Sequence, residues 1–261
     1  MAHTVYENFV LANTVEDQYN SHLDLMRFCT IDNSLVGEAG MKKKIHVYSA
    51  TSGTEKLAMG EGNSKDIEVT YAPVEYEILM AQNRFPYYDE EEMTDPMVVD
   101  TGMRHAGVDL FNHVNADIFA EFSKASLTHE AAAPDFGCFV DAAAKLNVEN
   151  LENMELFAFI SPADMAKIRK ALKDDLKYVE AFARQGYVGT VAGWNLYTKK
   201  DAVAGVIVGG TKEAVTLFNK KGVEIEQERD ADHRKNLIYS RKYYLAALTN
   251  ATKAVKITLT A

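Results

Sequence analysis

The feature that most constrains this chain is a single apolar stripe in its first half. Val99, Met103, Ala106, Leu110, Val114, Ile118 and Phe122 follow one another at steps of three or four, the spacing that puts side chains on one face of an α-helix. Asp95-Pro96 supplies the start signal: an Asp to accept from free backbone N–H groups, then a Pro suited to the first helical position. The acidic run Asp89-Glu90-Glu91-Glu92 lies just upstream of the positive helix end. At about 1.5 Å per residue such a helix spans roughly 40 Å, more than most compact domains of this size need internally.

The segments on either side have different textures. Residues 1–36 show no sustained period. Their apolar residues Val5, Phe9, Val10 and Leu11 are followed by the mixed stretch Asn13 to Asp24, which reads either as an arm laid over a neighbour or as a helix on its own domain. A hairpin follows. Ile45 and Val47 alternate with polar residues, a Gly- and Ser-containing tip runs from Ser49 to Ser64, and Ile67, Val69 and Tyr71 alternate with Glu68 and Thr70. After Ala72-Pro73 the parity flips to Val74, Tyr76, Ile78 and Met80. Because Pro lacks a ladder donor, a bulge or bend is expected there.

Beyond Pro134, Asp135 is placed to cap an Ala-rich helix ending near Leu146. Glu155–Ile160 reads as a buried strand, and Ser161-Pro162-Ala163-Asp164 as the start of a helix through Leu172. The remainder, Trp194–Tyr197, Val203–Val208, Val223–Gln227, Leu237–Leu248 and Val255–Leu259, is rich in β-branched and aromatic residues and reads as strands. The fold class expected is α+β.

Charge and cysteine usage narrow the function. With 28 Lys+Arg against 38 Asp+Glu the 261-residue chain carries a net charge of −10, which disfavours gripping a phosphate backbone. Cys29 and Cys138 are expected to be free thiols, Cys138 in the apolar setting Phe136-Gly137-Cys138-Phe139, and no apolar run approaches the roughly 20 residues of a membrane span. His105, Asp109 and His113 are four apart and would stack on one helix face, a spacing compatible with a first-row metal, although a solvated polar face is favoured. Val208-Gly209-Gly210-Thr211-Lys212 lacks the spacing of a phosphate-binding loop and reads as a plain turn. No nucleophile elbow or cysteine-protease signature is present, so no catalytic residue, cofactor or metal site is assigned.

This order of segments resembles the major capsid protein of tailed bacteriophages, the Hong Kong 97-type fold. The resemblance rests most on Tyr87-Tyr88-Asp-Glu-Glu-Glu-Met-Thr-Asp-Pro before the long helix, on the Phe159-Ile160-Ser161-Pro162 junction, and on Ile225 to Leu248 (IEQERDADHRKNLIYSRKYYLAAL) followed by a last strand. It implies an N-arm at 1–36 and an extended loop at 37–78. It implies a peripheral domain at 79–129 and 211–249 with a spine helix at 94–125, and an axial domain at 130–210 and 250–261. It further implies a structural, non-enzymatic subunit that self-assembles as hexamers and pentamers into an icosahedral head around double-stranded DNA, bound without sequence specificity and with no membrane. The location implied is the virion, after assembly in the host bacterial cytoplasm. Because the chain opens at Met1 without a long leader, a separate scaffolding protein is expected beside a portal and a decoration protein. Nothing marks a particular Lys, Asn and Glu for an isopeptide crosslink. An encapsulin-type compartment shares the architecture and is the alternative; an enzyme using His105, Asp109 and His113 is the more distant one.

Two contact surfaces are expected. In Glu228–Lys235 (ERDADHRK) acidic and basic residues alternate between two strands, so Asp230, Asp232, Arg234 and Lys235 are candidates to fix register between neighbours. In the hairpin tip Leu57 and Met59 are two apart and would point the same way on an extended strand, to be covered by a neighbouring subunit; the alternative is a hairpin folded back on its own domain.

Overall fold

The structure, a computed structural model, describes residues 23–147, 154–173 and 189–260. The expected anchors Val5, Phe9, Val10 and Leu11 lie outside that range. The described chain opens with a 3-10 turn, Leu25–Phe28, and a short strand β1 (Thr30–Asp32). The hairpin strands β2 (Lys42–Ala50) and β3 (Val69–Glu77) lead into β4 (Leu79–Tyr88), a short helix α1 (Asp89–Thr94) and the long helix α2 (Met97–Ser123). Then come β5 (Leu127–Ala131), α3 (Phe136–Leu146), β6 (Leu156–Ile160), α4 (Pro162–Ala171) and strands β7 (Thr190–Val191), β8 (Trp194–Thr198), β9 (Val206–Gly210), β10 (Val215–Asp230), β11 (Lys235–Leu248) and β12 (Ala254–Leu259).

These strands form three sheets. One has the order β1-β10-β11-β4, a second β5-β12-β9-β6-β8-β7, and the hairpin β2-β3 stands as a sheet of its own. The α2 helix keeps the stripe read from the sequence. Ala106, Leu110, Val114, Ile118 and Phe122 are buried, while Val99 and Met103 nearer its start are half-buried. Asp95 accepts from the Met97 N–H at 3.0 Å. Gly102 brings the helix close to β4, since a Cβ there would sit 2.2 Å from the Phe85 ring.

Two core clusters divide along the six-stranded sheet. On one face Leu156, Ala158 and Ile160 of β6 pack with α3 and α4 through Phe139, Leu146, Met165 and Ile168. On the other, Phe157 and Phe159 meet α2 through Ile118 and Phe122. Every residue of β6 is therefore buried, which explains why its sequence is a continuous apolar run rather than an alternation. Both cysteines are free and buried. Burial, with nearby acidic charge second, pushes each thiol up to about 11.

Three sequence expectations are corrected. The Gly209-Gly210 pair is not a turn but lies in β9. A Cβ on Gly209 would come within 2.4 Å of the Phe157 carbonyl oxygen, and one on Gly210 within 2.3 Å of that of Lys253, so both glycines are demanded by close packing. The turn follows at Thr211–Ala214, closed by Ala214 N–H donating to Thr211 O at 3.1 Å. Val223–Gln227 is one part of a 16-residue strand. And Pro73 makes no bulge: the β2–β3 register runs unbroken from Lys42 opposite Glu77 to Ala50 opposite Val69, with His46 opposite Pro73. Hydrogen bonds at the two ends, Ile78 N–H to Met41 O and Thr51 N–H to Glu68 O, fix the odd-numbered residues of β2 as the hydrogen-bonded ones. Pro73 therefore occupies a non-hydrogen-bonded pair, where its missing N–H is not required.

Candidate assembly surfaces

Because the hairpin register is continuous, the parity flip at Pro73 has a different consequence from a bend. Its two faces exchange polarity along its length. Near the body the inward face is apolar: Ile45 and Tyr76 pack against Ile78 and Phe218, with the Tyr76 and Phe218 rings 5.2 Å apart. The outward face there is charged, Lys42 pairing with Glu77 at 3.3 Å and Lys44 with Glu75 at 3.2 Å. Farther out the outward face carries Pro73, Tyr71 and Val69, with Tyr71 and Val69 65% and 58% exposed and Ile67 beyond them 61%.

The hairpin tip is braced by its own polar groups. Ser64 donates its N–H and hydroxyl to Glu55 at 2.9 and 2.8 Å, and these bonds hold that carboxyl below the usual range. Asn63 donates to Lys65 O at 2.9 Å. Leu57 precedes a turn closed by Glu61 N–H to Ala58 O at 3.1 Å, and Met59 lies within it. The expectation that these two share one face of an extended strand is thus corrected: the tip is irregular there, and Met59 sits in a turn rather than a strand. Both remain uncovered by their own subunit, Leu57 at 46% and Met59 fully exposed.

At the far end of the β10–β11 ribbon, the charges expected to face a neighbour are largely engaged within the subunit. Arg234, at φ +52°, pairs with Glu90 at 2.9 Å. The Lys235 ammonium lies 5.6 Å from the centre of the Tyr88 ring. Asp230 accepts from the N–H groups of Asp232 and His233 and from the His233 ring. The His233 ring bond first, then its backbone N–H, keeps the Asp230 carboxyl low. Asp89 gathers Arg229 at 2.8 Å and the Asn236 amide at 2.7 Å. The acidic run just upstream of the long helix is therefore also the seat of the ribbon tip. The double reversal Arg234→Glu, Lys235→Glu would break the pairing with Glu90 and the contact with Tyr88 inside one subunit as well as any contact outside it.

The helix face carrying His105, Asp109 and His113 does not converge. Asp109 receives the Asn83 amide at 3.3 Å. Tyr244 donates its hydroxyl to Asp117 at 2.7 Å, so its oxygen is left to accept from His113 Nδ1 at 3.0 Å. Burial first, and then Asp117, push the Tyr244 phenol up. Among the described residues no group of three or more His, Cys, Asp or Glu is placed to hold a metal ion, and no helix is long and apolar enough to cross a membrane.

A long helix lies between two sheets, and the hairpin stands apart with Val69 and Tyr71 exposed on its outer part. The fold is that of tailed-phage capsid proteins, the Hong Kong 97-type fold. The asymmetric unit of the bacteriophage PhiM1 mature capsid matches all of this chain and 91% of its own at a TM-score of 0.73 and 12% identity. Mycobacterium phage Che8 matches 87% of this chain and 88% of its own at a TM-score of 0.69 and 17% identity. In sequence, the chain is 29% identical over 265 residues to the major capsid protein of Staphylococcus phage phiMR11, covering 95% of this chain and 92% of that protein. No family model matches. The chain is a homologue of a phage major capsid protein.

Proposed function

We propose that this chain is the major capsid protein of a tailed phage, closing with further copies of itself into an icosahedral head around double-stranded DNA. The observation that carries the reading is the agreement between near full-length similarity to a phage major capsid protein and a fold shared with phage capsids. Its function is structural: it acts by packing and not by catalysis. A shell subunit repeats modest directional contacts many times, and multivalency turns them into a durable wall.

In this reading residues 1–36 are the N-arm, with its Leu25–Asp32 end packed into its own subunit rather than over a neighbour, 37–78 the extended loop, 79–129 with 211–249 the peripheral domain, and 130–210 with 250–261 the axial domain. Leu57 and Met59 lie on a neighbouring copy. Covering the fully exposed Met59 contributes about 1.5–3 kcal/mol per copy, and Leu57, 46% exposed, about half that. Asp230, Asp232, Arg234 and Lys235 set register where ribbon tips of several copies meet, their pairing with Glu90 and Tyr88 holding the tip in shape. The partners are a scaffolding protein, a portal and a decoration protein, with DNA contained rather than gripped, as the net charge of −10 favours. The mature protein resides in the virion after assembly in the host cytoplasm. Purified particles examined by negative-stain microscopy and nuclease digestion test this. Shells protecting double-stranded DNA are expected, whereas shells that hold a protein cargo and no genome would make the chain an encapsulin-type compartment.

A further inference from the structure

The segment Leu23–Asp32 sits where the two large sheets meet. The chain itself crosses between them three times: after α2 into β5, at Thr211–Ala214 between β9 and β10, and at 249–253 between β11 and β12. The opening segment adds a non-covalent tie that touches α2, both sheets and one of the crossovers. Its 3-10 turn is held on α2 by Asn115, 4% exposed, whose side-chain oxygen accepts from Leu25 N–H at 3.1 Å and whose amide donates to Leu23 O at 3.0 Å. Phe28 reaches the six-stranded sheet, its ring 4.9 Å from Phe157, 5.3 Å from Phe159 and 4.6 Å from Tyr197. Strand β1 then pairs in parallel with β10, from Thr30 opposite Thr216 to Asp32 opposite Phe218. The Thr30 hydroxyl donates to Lys212 O in the crossover itself, at 3.1 Å.

We infer that Leu23–Asp32 is a strap that fixes the angle between the four-stranded and six-stranded sheets. The strap enters one of the two large core clusters and not the other. Leu25, Phe28 and Cys29 are buried in the cluster that joins α2, β6, β9 and β10, while the second cluster, under α3 and α4, contains none of them. Loosening the strap therefore frees the two sheets to rock about their crossovers without opening the far side of the six-stranded sheet. The inference rests on contacts within one subunit and holds whether or not the copies enclose DNA.

The test is a distance distribution in the intact chain. Asp141→Cys on α3 and Glu228→Cys on the ribbon provide exposed labelling sites, and the native thiols are buried. Spin labels there, diluted with unlabelled protein so that only pairs within one subunit are read, report the spread between the sheets. Phe28→Ala is expected to broaden that distribution at least twofold, and to speed amide exchange in Phe157–Phe159 and Val114–Phe122 about tenfold while α3 and α4 keep their protection. Asn115→Ala, a milder change, is expected to move both readouts the same way by a smaller factor. An unchanged distribution in both variants, or loss of protection in α3 and α4 equal to that elsewhere, would make the segment ordinary core and overturn the inference.

Discussion

The six-stranded sheet and the β2–β3 hairpin use similar residues to opposite ends. In the sheet, alternate side chains of β6 enter two different clusters, and both faces are covered within the subunit. In the hairpin, the apolar side chains of β3 change faces at Pro73 with no break in register: Ile45 and Tyr76 near the body pack against Phe218 and Ile78, while Val69 and Tyr71 farther out are mostly exposed. A strand pair that obeyed its own subunit alone would keep one apolar face inward along its length. One that reverses faces midway has a second surface to satisfy. The difference separates residues that hold the subunit together from residues available to hold subunits to each other.

Substitutions sharpen that division, and the largest effect on subunit stability belongs to the sheet. Phe159 is fully buried among Phe28, Phe119, Phe122 and Phe157. Phe159→Ala is expected to cost about 3–5 kcal/mol in denaturant unfolding, and a loss under about 1 kcal/mol would contradict its place at the centre of the cluster.

Next comes the buried carboxylate of Asp164 at the start of α4. It accepts from the Gly205 N–H and the Ser161 hydroxyl, both at 2.7 Å, with the Lys167 ammonium 3.0 Å from its other oxygen. Burial alone would raise its pKa. The Gly205 N–H, the Ser161 hydroxyl and Lys167 outweigh that and hold it below the usual range. A folded-state pKa below the unfolded one contributes stability that is complete above the unfolded value, about 4, and is lost as pH falls through the folded value. Asp164→Asn should therefore cost roughly 1–3 kcal/mol near pH 7 and converge on the parent in acid. A constant difference across the pH range would remove the carboxylate's charge from the explanation. Ser161→Ala, which takes away the cap that receives the Asp164 N–H at 3.1 Å, should cost about 1 kcal/mol, read from thermal unfolding.

Much of the sheet region was legible because its signals are local. Asp135 caps α3 by accepting from the Cys138 N–H, Ser161-Pro162-Ala163-Asp164 opens α4 as its pattern implied, and the stripe of α2 is periodic along its length. The strands that escaped notice lack that signal. In β4, Asn83, Arg84 and Pro86 interrupt the apolar pattern, and the strand is recognisable only from the ten-residue ladder it forms with β11. In β5, Leu127–Ala131 has one β-branched residue, and its partner β12 lies more than a hundred residues away. Gly209 and Gly210 were misread for a related reason: the atoms that exclude a side chain there belong to Phe157 and Lys253, distant in sequence. The candidate contacts were partly legible. Exposed apolar residues at the hairpin tip could be found from composition, but the ties of Arg234 and Lys235 to Glu90 and Tyr88 needed the fold.

The central claim is that this subunit is completed by copies of itself through the hairpin. Its most direct test is sedimentation of the intact protein beside the double variant Leu57→Asp, Met59→Asp. In the parent, discrete capsomers or shells are expected. In the variant, the unfolding free energy of the subunit should change by no more than about 0.5 kcal/mol, the range for surface substitutions, while the large species disappear. Shells that form normally from the variant, or a variant whose isolated subunit is itself destabilised by several kcal/mol, would contradict the account and return the hairpin tip to its own subunit.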